Sequence, residues 1–409
     1  MDLLRISTAG SVDDGKSTLI GRLLYDHNAL TREQEELLQR KSLHKPGEDL
    51  DLSVITDGLT AEREQGITID VANIYFSSER RKFIIADSPG HVEYTRNMVT
   101  GASNSDIAII VVDARKGLSE QTFRHFFISN LLAVKYVVFC INKMDLVDYS
   151  EEIFLDIHAR ISALVADRLE RSEIIPISAL RGDNVLKPSE NMTWYDGPTL
   201  DDIMHSSVSP PKEDSPFRFD VQGVYLDRQS EQSRCYAGVV GSGSVKSGDS
   251  ITVLPSGKQG TVKEVRKYKQ LLEEAVEGDS ILLSLNEEID ISRGVMLSKT
   301  ESIPQHKQEF LATLVWMDEQ PAVQGSRLIL KSGSRELKAR ITGFSRFFDP
   351  EHPGQTFSKH EVGLNDIAEV SIGTAEPAFL DSYHLNKRNG SFILIDPASN
   401  GTSAVGFVK

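Results

Sequence analysis

Cysteine is almost missing from this 409-residue chain, which has only Cys140 and Cys235. The two lie far apart, in no spacing that suits a metal site or a redox pair. Cys140 falls inside the apolar run 137–141, where a small buried hydrophobe is the expected role. Long apolar runs are missing too: none approaches the roughly 20 residues that span a bilayer. The amino-terminal Met1-Asp2-Leu3-Leu4-Arg5-Ile6 runs straight into a strand pattern, without the basic stretch and apolar core of a signal peptide. Together with the cysteine usage, these features suggest a reducing cytoplasm and no membrane. Positive charge is also scarce: 45 Lys and Arg stand against 60 Asp and Glu, a formal net charge of −15. That balance argues against loose, charge-driven binding to nucleic acid, which works by neutralising phosphates, and leaves open a specific basic patch. What remains is the composition of a globular protein, 39% apolar and 26% charged, long enough for two or three domains.

The first half alternates short Ile- and Val-rich runs with helical patterns. Strands are expected at 3–8, 82–87, 106–114, 135–142 and 174–178, apolar on both faces as parallel strands covered by helices should be. Helices are expected at 16–30, 93–102, 121–134 and 151–169; in the first, Leu19, Ile20, Leu23 and Leu24 form one apolar stripe. The segment 67–77 alternates like a half-exposed strand and should form an antiparallel edge. The charged segment 31–54 has few core candidates and reads as a helix followed by a mobile loop. The alternation predicts an α/β, doubly wound, mostly parallel sheet.

Composition changes at 206–216, a polar stretch with Pro210, Pro211 and Pro216 that reads as a linker. Beyond it, alternating runs at 217–225, 235–240, 249–254, 260–265 and 280–285 are separated by Gly-containing turns, as in a β-barrel or sandwich. A second break falls at 302–306, and 309–409 is again β-rich. Three domains are expected, at 1–208, 209–303 and 304–409.

The chemistry-bearing segment comes first. Gly10-Ser11-Val12-Asp13-Asp14-Gly15-Lys16-Ser17-Thr18 contains the pattern G-x-x-x-x-G-K-[ST], placed after an expected strand and at the start of an expected helix. Glycines let the backbone curl until successive N–H groups face a phosphate, aided by the positive end of the following helix. Lys16 is then expected to reach the β and γ phosphates, and the Ser17 hydroxyl to bind Mg²⁺. The alternative, a tight turn with a surface lysine, does not account for that position.

Three further segments follow in order. Asp87-Ser88-Pro89-Gly90-His91 closes a strand; its carboxylate can join a Mg²⁺ shell, the Gly90 N–H can sense a γ phosphate, and His91 can place an attacking water. By itself the segment is also a common turn. Asn142-Lys143-Met144-Asp145 closes another strand, and Asp145 can accept from both N1–H and N2–H₂ of guanine, a donor pair that adenine lacks. Ser178-Ala179-Leu180 fits the last guanine-contacting loop by position alone. Within Gly66-Ile67-Thr68-Ile69-Asp70, Thr68 should coordinate Mg²⁺ when a γ phosphate is present and release its loop after hydrolysis. The expected catalytic group is Lys16, Thr68 and His91, with Ser17, Thr68 and Asp87 around the metal.

These motifs, in this order, resemble the GTPases related to translation elongation factors, whose α/β P-loop domain is followed by two β-barrels. Gly241 to Asp249, Gly-Ser-Gly-Ser-Val-Lys-Ser-Gly-Asp, is similar to their second domain. Among them the chain most resembles the GTPase (large) subunit of bacterial sulfate adenylyltransferase (ATP sulfurylase). Elongation factors usually carry His at the position of Asp14. The stretches 57–70, 94–103, 188–195 and 314–319 are also similar to that subunit, and Ser88 departs from it where Thr is usual. Some relatives carry a fused adenylylsulfate kinase. The sequence holds no second phosphate-loop pattern, so no kinase activity is expected.

The resemblance implies a GTPase with Mg²⁺ that hydrolyses GTP and assists a separate small catalytic subunit. That subunit joins ATP and sulfate into adenylyl sulfate and diphosphate, the first step of sulfate assimilation. Two rivals are a translational GTPase carrying tRNA to the ribosome and a GTP-binding scaffold that no longer hydrolyses. The stretches outside the nucleotide motifs speak against the first, and the presence of both Thr68 and His91 speaks against the second.

Overall fold

The structure is a computed structural model, and it describes residues 2–44, 51–55, 72–87, 98–99, 105–166, 171–207, 215–226, 234–352 and 354–409. The chain divides into two compact units, Met1–Pro210 with Pro350–Pro353, and Pro211–Asp349 with Gly354–Lys409.

The first unit is built on a 6-stranded sheet of β1 (Asp2–Gly10), β2 (Ala72–Ser77), β3 (Arg81–Asp87), β4 (Ile107–Asp113), β5 (Tyr136–Asn142) and β6 (Arg171–Pro176), in the order β2-β3-β1-β4-β5-β6. All neighbours are parallel except β2, which runs antiparallel to β3 with Ala72 opposite Asp87. The antiparallel edge is therefore present in the described part of 67–77. Every residue of β4 and β5 is buried, which is why neither strand alternates. Expected at 174–178, β6 begins at Arg171, because an edge strand with one neighbour tolerates the half-exposed Ser172 and Glu173. Cys140 lies fully buried in β5, where burial pushes its thiol far up, and both cysteines are free.

Five helices are described in this unit: α1 (Lys16–Asp26), α2 (Arg32–His44), α3 (Glu120–Leu131), α4 (Glu151–Val165) and α5 (Leu200–Ser206). The expected stripe of α1 is buried, but the helix ends before Leu30, with Asn28 in the left-handed region at φ 51°. A reciprocal capping box between Ser119 and Thr122 starts α3 one residue early, and Ala133 at φ 49° stops it short of 134. The Ser150 hydroxyl caps α4. Of the helix expected at 93–102 only Met98 and Val99 are described, both helical and buried.

Among the described residues of the charged segment 31–54 the few that are buried are Leu38, Leu52 and Val54, and Ile55 just after it is buried too; Leu52–Ile55 form a short 3₁₀ turn. That turn seats on α1 at Gly21, where a Cβ would stand 2.2 Å from the Leu52 carbonyl oxygen. The spacing Leu52, Val54, Ile55 follows neither period, and the burial comes from the tertiary docking.

The second unit carries two 7-stranded antiparallel sheets. In the first, Ser250–Leu254 also pairs with Lys258–Lys267, and in the second Arg327–Ser332 pairs with Arg335–Phe348. Each sheet is thereby closed into a barrel with its own apolar core. The strand expected at 280–285 appears at Ser280–Leu285; the others begin or end within two residues of their expected bounds. No helix among the described residues is long and apolar enough to cross a membrane.

Candidate functional site

The C-terminal ends of β1, β3, β4 and β5 gather the polar residues of the first unit, where ligands bind in open α/β sheets. From β1 the chain enters the loop Gly10 to Gly15. Asp13 lies at φ 68° and Gly15 at φ 93°, so the backbone turns sharply before α1 begins without a side-chain cap. A Cβ on Gly15 would meet the Asn142 side-chain nitrogen at 2.3 Å, so glycine is required by both conformation and space. Uncapped N–H groups at the start of a helix are what an anion can satisfy. Lys16 and Ser17 open that helix, followed by Thr18.

Lys16 Nζ lies 3.4 Å from Asp87 Oδ1, and both side chains are nearly excluded from solvent. Thr8 Oγ1 donates to the same carboxylate oxygen at 3.0 Å. The expected cation and metal-binding carboxylate therefore meet at the loop. Beneath the loop, Asp14 accepts from the Ser11 N–H at 3.0 Å and is buried, with its carboxyl pushed up to about 6 by that burial. Ser11 Oγ lies 2.9 Å from Ser119 Oγ, tying the loop to the cap of α3. One turn into α3, His125 is buried without a partner for Nδ1 among the described residues. Burial, with Lys16 and Arg124 nearby, lowers its pKa to about 3.

The segment 142–145 knits two loops together. Asn142 Nδ2 donates to the Asp14 carbonyl at 2.8 Å, while its Oδ1 accepts from the Ala179 N–H at 2.9 Å. Lys143, left-handed at φ 65°, donates to the Asp13 carbonyl and to Asp113 Oδ2 at 2.9 Å. Met144 is fully buried, and its N–H donates to the Ile177 carbonyl at 3.2 Å. Ser178 Oγ donates to Asp145 Oδ1 at 2.6 Å. The phosphate-loop and base-loop candidates Gly10, Ser11, Asp13, Asp14, Gly15, Lys16, Asp87, Asn142, Lys143, Asp145, Ser178, Ala179 and Leu180 thus form one connected site. Val12 stands at the exposed outer edge of the loop. Thr68, Ser88, Pro89, Gly90 and His91 lie outside the described residues.

Sequence reasoning missed Asp113. Its carboxylate is completely buried, and although burial alone would raise its pKa, Arg115 and Lys143 hold it far below the usual range. Arg115 grips it from two nitrogens, at 3.0 and 2.7 Å. The signal was available: a lone carboxylate ending the apolar run Ile107–Val112, level with Asn142 in the next strand. Arg22, which carries no local signal, reaches the carbonyls of Ala179 and Leu180.

A glycine-bent loop before a helix without a side-chain cap, a buried Lys–Asp pair and an Asn that ties this loop to the 178–180 segment define a P-loop nucleotide-binding domain, followed by two β-barrels. The family profile of the elongation factor Tu GTP binding domain matches residues 1–276, and that of the GTP-eEF1A C-terminal domain-like family matches 309–409. Sulfate adenylyltransferase subunit 1 of Bacteroides fragilis is 47% identical over 414 residues, covering 100% of this chain and 86% of its own length. The proteins of that name from Colwellia psychrerythraea and Bacteroides thetaiotaomicron are 44% and 46% identical, covering 100% of this chain and 88% and 86% of their own. The chain belongs to the elongation-factor-type GTPases and, among them, to the sulfate adenylyltransferase subunit 1 family.

Proposed function

We propose that this chain hydrolyses GTP and lends the free energy to a small catalytic partner subunit that forms adenylyl sulfate and diphosphate from ATP and sulfate. The observation that carries the nucleotide part is the Asn142 bridge, which joins the loop holding Lys16 to the loop holding Ala179, so that phosphate and base contacts form one site. The name shared by the relatives carries the rest. In this reading the N–H groups of residues 10–18 cradle the phosphates and Lys16 neutralises the β and γ oxygens. Asp145 accepts from the guanine N1–H and N2–H₂, and the 178–180 loop borders the base. Ser17, Asp87 and Thr68 hold Mg²⁺, and the buried Asp87 carboxylate beside Thr8 and Lys16 suits a hard cation. Bound there, Mg²⁺ offsets charge on the phosphates. Gly90, after Ser88 and Pro89, senses the γ phosphate, and His91 places the attacking water. The domains in this reading are 1–208, 209–303 and 304–409. Two free, buried cysteines suit a cytoplasmic setting.

Coupling requires that the partner bind the GTP- and GDP-loaded forms unequally, since a ligand indifferent to two states shifts neither. The test is the yield of adenylyl sulfate from the assembled complex with GTP, with a non-hydrolysable analogue and with neither. GTP alone should raise the yield, and Lys16→Ala should abolish the increase while leaving the partner's own reaction intact. Equal yields in all three conditions would leave a GTPase without this task.

A further inference from the structure

The face of α1 that carries Arg22 points at the loop after β6. The Arg22 side chain is only 12% exposed. Its Nε donates to the Ala179 carbonyl at 3.1 Å, Nη2 donates to the Leu180 carbonyl, and Nη1 lies 3.4 Å from Asp26 Oδ1. One guanidinium therefore holds two successive carbonyls of the loop 178–182. Neither peptide is oriented by the loop's own closing bonds, Gly182 N–H to the Ser178 carbonyl at 2.7 Å and Ser178 N–H to the Asp183 carbonyl at 3.2 Å.

In a trans peptide the C=O and the following N–H point in opposite directions. Holding the Ala179 carbonyl against α1 therefore turns the Leu180 N–H to the opposite side of the chain. Holding the Leu180 carbonyl turns the Arg181 N–H away in the same manner, and that N–H donates to Ser178 Oγ at 3.2 Å. The Ser178 hydroxyl, its lone pair engaged, donates onward to Asp145 Oδ1 at 2.6 Å. The relay runs from Arg22 through the 180–181 peptide and Ser178 to the carboxylate, and it starts on the helix that opens with Lys16 and Ser17.

We propose that Arg22 is a positioning residue for guanine selection, through which the phosphate-binding helix fixes the orientation of the 178–181 loop and of Asp145. This rests on the guanine-nucleotide reading above. A planar guanidinium can grip two carbonyls at once, whereas a lysine offers one mobile point charge. Arg22 itself does not touch the base.

The test compares the affinities of the full chain for GTP, GDP, ATP and inosine triphosphate, which lacks the 2-amino group, in wild type, Arg22→Gln, Arg22→Lys, Ser178→Ala and the Gln–Ala double variant. Arg22→Gln should weaken GTP and GDP by the same factor, about tenfold, as expected for losing hydrogen bonds from a charged group. The preference for GTP over inosine triphosphate should narrow, and the GTP-to-GDP ratio should stay fixed because the γ phosphate lies at the other end of the site. Arg22→Lys should fall between the two. The double variant should bind no more weakly than the worse single one, because both changes cut the same relay. A folded Arg22→Gln protein with the wild-type preference for GTP over inosine triphosphate would overturn the proposal. So would additive losses in the double variant. A merely structural role lowers thermal stability and leaves the base preference alone. Should Arg22→Gln not fold, the lysine and Ser178→Ala variants decide, and unchanged base preference in both overturns the proposal. A wild-type chain indifferent to GTP and ATP sinks the guanine reading as well, whereas wild-type selectivity retained in every variant sinks only the role of Arg22.

Discussion

Both units bury charge, and they use it in opposite ways. In the second unit Arg218 and Asp381 form a two-pronged pair at 2.9 and 2.8 Å, both almost fully buried. The remaining capacity is filled: Arg218 also donates to the Phe217 and Ser302 carbonyls, and Asp381 accepts from Asn386 and Asn389 at 3.1 and 2.9 Å. Asn386 reaches on to Ser242 Oγ at 2.8 Å, so two strands of the first barrel and the 380–390 connection of the second share one closed network. In the first unit, Lys16, Asp87, Asp14 and Asp145 gather beyond the strand ends, beside a loop whose N–H groups open α1 without a side-chain cap. A closed network fixes shape. N–H groups at a helix start without a side-chain cap are instead what an anionic ligand can satisfy.

The largest expected effect tests the closed network. Asp381→Ala leaves a buried guanidinium unpaired and should cost about 3–5 kcal/mol, read from denaturant unfolding of the second unit. Replacing both partners with apolar residues of similar volume should recover much of that loss. If both variants lose equally, the network does more than neutralise its own charges.

Next comes the open side. Asp145→Asn should weaken GTP by about a hundredfold and turn the preference toward xanthosine triphosphate, whose acceptor matches the new amide donor. Competition binding with both nucleotides reads this, and an unchanged preference for GTP removes Asp145 from the base site.

The smallest effect sharpens the contrast further. Asp14 is raised from 3.8 to about 6 by burial, with Lys116 and Lys143 opposing and Asp113 adding to the shift. The folded state then binds more protons than the unfolded state between those values, so stability falls as pH rises through that window. Asp14→Asn should therefore stabilise the first unit by about 2 kcal/mol at pH 7, and the gain should vanish below the unfolded pKa. Thermal unfolding across pH 3.5 to about 7.5 checks it. A pH-independent difference between the two proteins would show that the carboxylate does not carry this cost.

The sheet, most helices, the β-rich second half and the nucleotide motifs were legible in the residues because each follows a local rule. Two barrels rather than a sandwich were implied only by the family resemblance, since closure is a pairing between strands. Strands buried on both faces must be uninterrupted and apolar, as β4 and β5 are, and a glycine at Gly15 announces a left-handed turn. Periodicity even placed the strand Ser280–Leu285, whose neighbours on both sides fix its length. Local rules failed where burial is decided by a distant partner. Leu52, Val54 and Ile55 follow no period, and only the missing Cβ of Gly21 makes room for them. Asp113 looks like any strand-end carboxylate until Lys143, thirty positions later, is brought to it. Arg22 reads as one more charge on a helix face, and nothing within a turn of it suggests two carbonyls 157 and 158 positions away. Short-range pattern thus marked the candidate nucleotide-binding groups. What holds those groups in place depends on contacts between residues far apart in sequence, and such contacts exist only once the chain has folded.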